Sequence, residues 1–230
     1  TMVEGGRTFH AVDGPALARA AGHLVGRFHA AVADLEHDYR HTRVGVHDTA
    51  HHLEVLRAAL ETHQAHRLID EVGPLADEIL AAAEALPDLS ALPARHVHGD
   101  LKISNLLFTA DTPPVGICLV DLDTLARMIL PFELGDALRS WCNPAGEDSP
   151  GRLELPLFAA AIEGYAQTAP RPSEGEVEHL VDGLSTIALE LSARFLGDAL
   201  NEAYFGWDPA RFASRGEHNL VRARSQLGLY

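Results

Sequence analysis

The eight residues His98-Gly99-Asp100-Leu101-Lys102-Ile103-Ser104-Asn105 hold a carboxylate, a side-chain amide and the one lysine of a chain with seventeen arginines. Two further carboxylates, Asp121 and Asp123, close the apolar run "GICLVDLD". One amide oxygen and one carboxylate are hard oxygen ligands. They suit Mg²⁺, which keeps water and substrate phosphates in the rest of its shell. A carboxylate outside that pair can accept the proton of an attacking hydroxyl. An ammonium two residues beyond it can meet the negative charge on a transferring phosphoryl group. Lysine suits that task because it is a point charge on a flexible stem and can follow a phosphate that moves. The expected chemistry is therefore phosphoryl transfer. Asp100 is the base, Lys102 stabilises the phosphoryl group, and Asn105 and Asp121 hold the metal. Asp123 fits either a second place at the metal or the cap of the following loop.

The elements that must position these groups are short. "HVH" before Gly99 reads as a strand, and "NLLF" and "GICLVDL" are β-rich runs. Thr109–Pro114, with Asp111 and two prolines, reads as the turn of a hairpin between them. Such a hairpin brings Asn105, at the start of one strand, beside Asp121, at the end of the other. The rest reads as helix. Asp13 and Pro15 mark a start, and Leu17, Ala21, Leu24, Phe28, Ala31 and Leu35 fall on one face. A second helix starts near Asp48 or Thr49 with Leu53, Leu56 and Leu60 inward, and a third runs from about Pro74 through Leu86. Others cover about 133–141 and 153–167. A long one follows Ser173, where Ser173 and Glu176 have capping-box spacing. The fold class is α+β, mostly helical, with a small β-hairpin carrying the candidate chemistry.

At 230 residues the chain can bury a sizeable core, and its net charge is 18 − 33 = −15. Nucleic acid and anionic membranes would repel it, so neither is an expected partner. "TMVEGGRTFH" has no basic-then-apolar signal pattern, and no apolar run is long enough to span a bilayer. Cys118 and Cys142 read as reduced, buried thiols of a cytoplasmic protein. Fourteen histidines raise a zinc reading at His47, His51 and His52, or at His63 and His66. No cysteine or carboxylate cluster completes a site of zinc spacing, so a solvated helix surface is expected there. Trp141 and Trp207 read as core or edge aromatics.

"HGDLKISN" resembles the protein-kinase catalytic loop H-R-D-L-K-x-x-N, with histidine, aspartate, lysine and asparagine in register. The glycine after His98, and "LVDLDT" in place of D-F-G, are similar to the aminoglycoside phosphotransferase and choline kinase superfamily. "FELGDALRSWCNPAGED", "LELSARFLGDAL" and "HNLVRARSQL" look like its N-acetylhexosamine 1-kinase branch. The resemblance runs from about Gly6 to the C-terminus. It implies a protein-kinase-like fold in which residues 1–230 are the C-terminal, catalytic and substrate-binding lobe. It also implies ATP as co-substrate, Mg²⁺, and structural support of the catalytic loop by His98 and Asp136. Arg139 reads as a surface ion-pair residue. "GGRTFHAVD" looks like the segment just after the inter-lobe hinge, and with one lysine in the chain no strand lysine for the α/β-phosphates remains. The N-terminal ATP-binding lobe is thus expected to be absent from this chain, and to be a partner if separately encoded or cleaved. Apolar residues around Val3 and Phe9 are expected to be exposed where that lobe would sit.

The function so implied is transfer of the ATP γ-phosphate to a small-molecule sugar or amino sugar, at the anomeric hydroxyl of a hexose or N-acetylhexosamine. Alternatives are an aminoglycoside or other alcohol as acceptor, and a truncated, non-catalytic binding module derived from a kinase. In "HNLVRARSQL", His218 and Arg222 lie four apart and share a helix face, while Arg224 points elsewhere. Either the arginines pair with surface carboxylates, or His218, Arg222 and Arg224 include donors to sugar hydroxyls or to the product phosphate.

Overall fold

Pro15 begins the first helix, α1 (Pro15–Ala31), where its missing N–H has no helical carbonyl to bond. Leu17, Ala18, Ala21, Leu24 and Val25 are buried along one stripe. Leu35, expected on that stripe, lies past the helix end and is exposed. α5 (Leu155–Ala166) runs along α1. At Gly22 a Cβ would fall 2.0 Å from the Ala161 carbonyl oxygen, so only glycine allows this approach.

A computed structural model describes residues 3, 5–40 and 46–230. They divide into two units, one within Thr1–Val46, Leu89–Pro144 and Leu153–Leu184, the other within His47–Asp88, Ala145–Arg152 and Ser185–Tyr230. In the first, β2 (Leu106–Phe108) and β3 (Gly116–Leu119) form the expected antiparallel hairpin, with Leu106 opposite Leu119. A second ladder was not foreseen. β1 (Ala94–Val97) pairs antiparallel with β4 (Ala126–Ile129), which leads straight into α4 (Leu130–Trp141). Leu101, Leu106, Phe108, Leu138 and Trp141 pack with the α1 and α5 stripes into one core. Phe9 is half-buried, edge-on to Phe108 at 5.5 Å, and Val3 is half-buried too, so neither is the open apolar surface expected.

The capping box at Ser173 is present, but it opens only a short helix, α6 (Glu174–Glu178). The chain breaks at His179 before α7 (Leu180–Asn201). In the second unit, Asp48 caps α2 (Thr49–Thr62) by accepting from His51 N. α3 (Ile69–Ala83) starts five residues before Pro74, which it contains. The buried stripe Val72, Ala76 and Ile79 passes through the proline, and its burial outweighs one lost backbone bond. With Leu56, Leu189, Leu196 and Leu220, the last from α8 (Arg215–Leu229), that stripe forms the second core. His47 and His52 are drawn toward the buried carboxylate of Glu190, which Thr49 also bonds at 2.8 Å, rather than lying on a solvated surface. Both cysteines are free, Cys142 buried and Cys118 half-buried. Burial pushes the Cys142 thiol up to about 12. Among the described residues no helix is long and apolar enough to cross a membrane.

Candidate active site

β1 ends at the buried Val97, and the chain turns through His98 and Gly99 to Asp100. Gly99 has φ +80°, and a Cβ there would lie 2.5 Å from the Thr124 carbonyl oxygen. Both facts demand glycine, which accounts for the residue that follows His98. His98 is fully buried, with Nε2 3.0 Å from the Val120 carbonyl. A carbonyl only accepts, so Nε2 carries the hydrogen and Nδ1 accepts from Asp100 N at 3.3 Å. One ring thus ties the end of the hairpin to the loop that carries Asp100. Thr124 adds a bond from Oγ1 to the His98 carbonyl at 2.7 Å.

Two supports come from α4, and the sequence reading missed both. Glu133 accepts from His98 N at Oε1 (2.8 Å) and from Gly99 N at Oε2 (3.0 Å). Trp141 donates from Nε1 to the Leu101 carbonyl at 2.7 Å. The only signal in the sequence was a lone acid in an otherwise apolar first turn. Asp136, the expected support, accepts at Oδ1 from Arg139 (2.7 and 3.1 Å), and this pair is mostly buried rather than on the surface.

Asn105 is buried and donates from Nδ2 to the Asp100 carbonyl at 2.9 Å. Its nitrogen is engaged, so its oxygen is the side that can face a cation. The Asn105 carbonyl accepts from Val120 N at 2.9 Å, so the hairpin register sets Asp121 at the same end of the ladder. Asp121 has φ +65°, a conformation aspartate tolerates better than most residues, and turns the chain into a one-turn 3-10 helix at 122–124. Lys102 Nζ lies 2.7 Å from Asp100 Oδ2 and 3.9 Å from Asp121 Oδ2. The three side chains are 47%, 31% and 50% exposed, in that order. The ammonium therefore sits between two carboxylates that open to solvent. Asp123 lies exposed on the 3-10 turn.

The donor set fits Mg²⁺. Among the described residues no three His, Cys, Asp or Glu side chains gather as metal ligands. A site of one amide oxygen, one carboxylate, water and phosphate oxygens does not need them.

His218, Arg222 and Arg224 belong to the second unit. His218 is buried, stacks on Phe212 with ring centroids 4.0 Å apart, and meets Asp148 Oδ1 at 2.7 Å. Arg222 donates to the Gly206 carbonyl at 2.7 Å and places Nε 3.5 Å from the same Asp148 oxygen. Burial alone would raise the Asp148 carboxyl. Hydrogen bonds from His218 and Arg211 and the charge of Arg222 more than offset that and hold it below the usual range. Arg224 pairs with Glu71 at 2.8 Å, both about half exposed. So His218 and Arg222 come together around an aspartate that the sequence reading did not name, and Arg224 stands apart. Within "LGDAL", Asp198 accepts from the backbone N–H groups of Ala203, Tyr204 and Phe205 and from Asn219, a structural role.

The model of the phosphotransferase enzyme family (APH) matches residues 3–171, which include the loop, the hairpin and α4. The chain belongs to that family. Among solved structures, this phosphotransferase-family chain is similar to an amicoumacin kinase in complex with AMP-PNP, Ca²⁺ and Ami (TM-score 0.56, 18% identity, covering 97% of this chain and 62% of that one). It is also similar to an aminoglycoside phosphotransferase from Alicyclobacillus acidocaldarius (0.62, 17%, 99% and 68%) and to an ethanolamine kinase from Plasmodium vivax (0.55, 10%, 98% and 63%). The likeness is one of fold, and it agrees with the α+β, mostly helical class and with the C-terminal lobe of a kinase-like fold. The chain spans 62% of the amicoumacin kinase and 63% of the ethanolamine kinase.

Proposed function

We propose that this chain is the catalytic and substrate-binding lobe of a small-molecule kinase that moves the γ-phosphoryl group of ATP to a sugar hydroxyl. The favoured acceptor is the anomeric hydroxyl of a hexose or N-acetylhexosamine, because "HNLVRARSQL" and its companion segments look like that branch. In this reading the ATP-binding lobe comes from a segment outside the sequence. The observation that carries the proposal is the placement of Lys102 against Asp100 and near Asp121, with Asn105 fixed on the same loop. Lys102 takes one Asp100 oxygen, and the other is the one an acceptor hydroxyl would meet. Asp100 removes the proton as that hydroxyl attacks phosphorus, and the bond from phosphorus to the leaving ADP oxygen breaks. Lys102 then swings from the carboxylates to the phosphoryl oxygens, whose charge it offsets. Asn105 and Asp121, with Asp123 as a further candidate, would hold Mg²⁺, which would neutralise and orient the nucleotide phosphates. The sequence makes His218, Arg222 and Arg224 candidate acceptor contacts; of these His218 is buried with both ring nitrogens engaged, at Asp208 N and Asp148 Oδ1, so the arginines are the donors in question. Directional donors of this kind suit an uncharged polyol, and Arg224 is the weaker candidate given its pairing with Glu71.

A second reading has a specific observation behind it. A net charge of −15 would attract a polycationic acceptor such as an aminoglycoside. The test is a phosphoryl-transfer assay of the two-lobed protein with Mg·ATP against N-acetylhexosamines, an aminoglycoside and choline. Highest kcat/KM for the sugar supports the first reading, and for the aminoglycoside the second. No transfer to any acceptor supports a non-catalytic binding module.

A further inference from the structure

α1, α4 and α5 close around a line of buried polar groups that the phosphoryl-transfer reading does not use. Tyr165 of α5 is 6% exposed, His29 of α1 is 3% and Glu133 of α4 is 1%. Tyr165 Oη lies 2.9 Å from His29 Nδ1. His29 Nε2 lies 3.5 Å from Glu133 Oε1, the oxygen that holds His98 N. Burial above all pushes the Tyr165 hydroxyl far above its ordinary range. It therefore keeps its proton and can give it to Nδ1 as a hydrogen bond. In the neutral ring the imidazole hydrogen is then on Nε2, the nitrogen that lies 3.5 Å from Glu133 Oε1. Nε2 is buried with no hydrogen-bond partner among the described residues, and at 3.5 Å its contact with Glu133 is a charge–dipole one.

The physical need is clear. Glu133 is a carboxylate sealed from water, and among the described residues two backbone N–H groups are its hydrogen-bond donors. A buried charge with few donors is costly, and its orientation is only as firm as the dipoles that face it. We infer that Tyr165 and His29 are positioning residues for Asp100, acting through the Glu133 carboxylate and the His98 and Gly99 amides it holds. Tyr165 fixes the tautomer and plane of His29. His29 points an N–H at Oε1 and stops the carboxylate from turning. Glu133 then holds the loop two residues before Asp100. The kinetic consequence rests on Asp100 being the base, but the structural one does not.

The test uses this chain with Tyr165→Phe, His29→Leu and His29→Gln. Tyr165→Phe keeps the ring and removes only the hydroxyl, while His29→Gln keeps an amide that can still donate. Amide hydrogen exchange at His98 and Gly99 is followed by NMR, with amides of α1 and α5 as internal reference. Tyr165→Phe and His29→Leu should speed exchange of the two loop amides roughly tenfold relative to the reference, the scale of one lost hydrogen bond. His29→Gln should restore most of the protection. Wild-type ring spectra should show the hydrogen on Nε2. Loop amides that keep wild-type protection in Tyr165→Phe would overturn the inference, and so would loop amides that speed up only in step with the reference. If His29→Leu does not fold, Tyr165→Phe decides alone. In the two-lobed enzyme Tyr165→Phe should lower kcat and leave KM for ATP unchanged. A loosened loop in a two-lobed protein that transfers no phosphate would support the relay and sink the kinase reading. A fully protected loop in Tyr165→Phe, beside an active wild-type enzyme, would do the reverse.

Discussion

Gly99 shows how tightly one residue can be specified. Its φ of +80° and the 2.5 Å gap to the Thr124 oxygen are independent penalties for a methyl group. Gly99→Ala should therefore destabilise the chain by about 2–4 kcal/mol, from overpacking against backbone together with a left-handed conformation. The urea midpoint of the variant measures this, and an unchanged midpoint would mean that the turn is not built as described. Asp100, Lys102, Asn105 and Asp121 stand out at this scale because their types and spacing suggest a chemistry, and the structure brings Lys102 against Asp100 and within 3.9 Å of Asp121. Glu133 and Trp141 were not. Their roles exist only once α4 packs beneath the loop, and an acid or a tryptophan in a helix says nothing alone about which backbone group it meets. Asp136 was named through the family resemblance; it is buried and accepts from Arg139.

Among the elements, β1 is held at both ends. Glu133 grips the loop that follows it, and Arg95 at its second residue makes a two-pronged pair with the buried Glu176 of α6. Burial would raise the Glu176 carboxyl, but the bonds from Arg95 and Ser173 outweigh it and hold the group below its ordinary 4.5. A depressed carboxylate contributes stability in full above its unfolded value and loses it as the pH falls through the folded one. The stability lead of wild type over Arg95→Ala should then be largest near neutral pH and shrink in acid below about 4.5. Urea unfolding at several pH values reads it, and a lead independent of pH would contradict the pairing. The β2–β3 hairpin was legible because two β-rich runs flank a proline-bearing turn. The β1–β4 ladder was not, because its partners lie some thirty residues apart with no shared turn to join them. Pro74 misled the start of α3, since a breaker in sequence is overridden where a buried stripe continues through it. The break at His179, between two helices that read as one, left no such mark.

For the whole molecule, the strong negative charge and the lone lysine frame what the site can hold. A lobe with an open pair of carboxylates and one ammonium needs cations before it can hold a polyphosphate. Half of the nucleotide cleft belongs to the proposed second lobe. The isolated 230-residue chain should therefore bind Mg·ATP more weakly than micromolar. Calorimetry on the chain checks this, and a micromolar affinity would show that the nucleotide site is complete without that lobe. The most direct test of the phosphoryl-transfer mechanism is steady-state turnover by the two-lobed protein, wild type beside Asp100→Asn, with ATP and the best acceptor each varied. The substitution keeps the size of the side chain and removes the proton acceptor. Turnover should fall by about 10²–10⁴-fold, the usual worth of general-base catalysis, with both KM values nearly unchanged. An Asp100→Asn variant that turns over like wild type would contradict the role of Asp100 as the base and, with it, the mechanism.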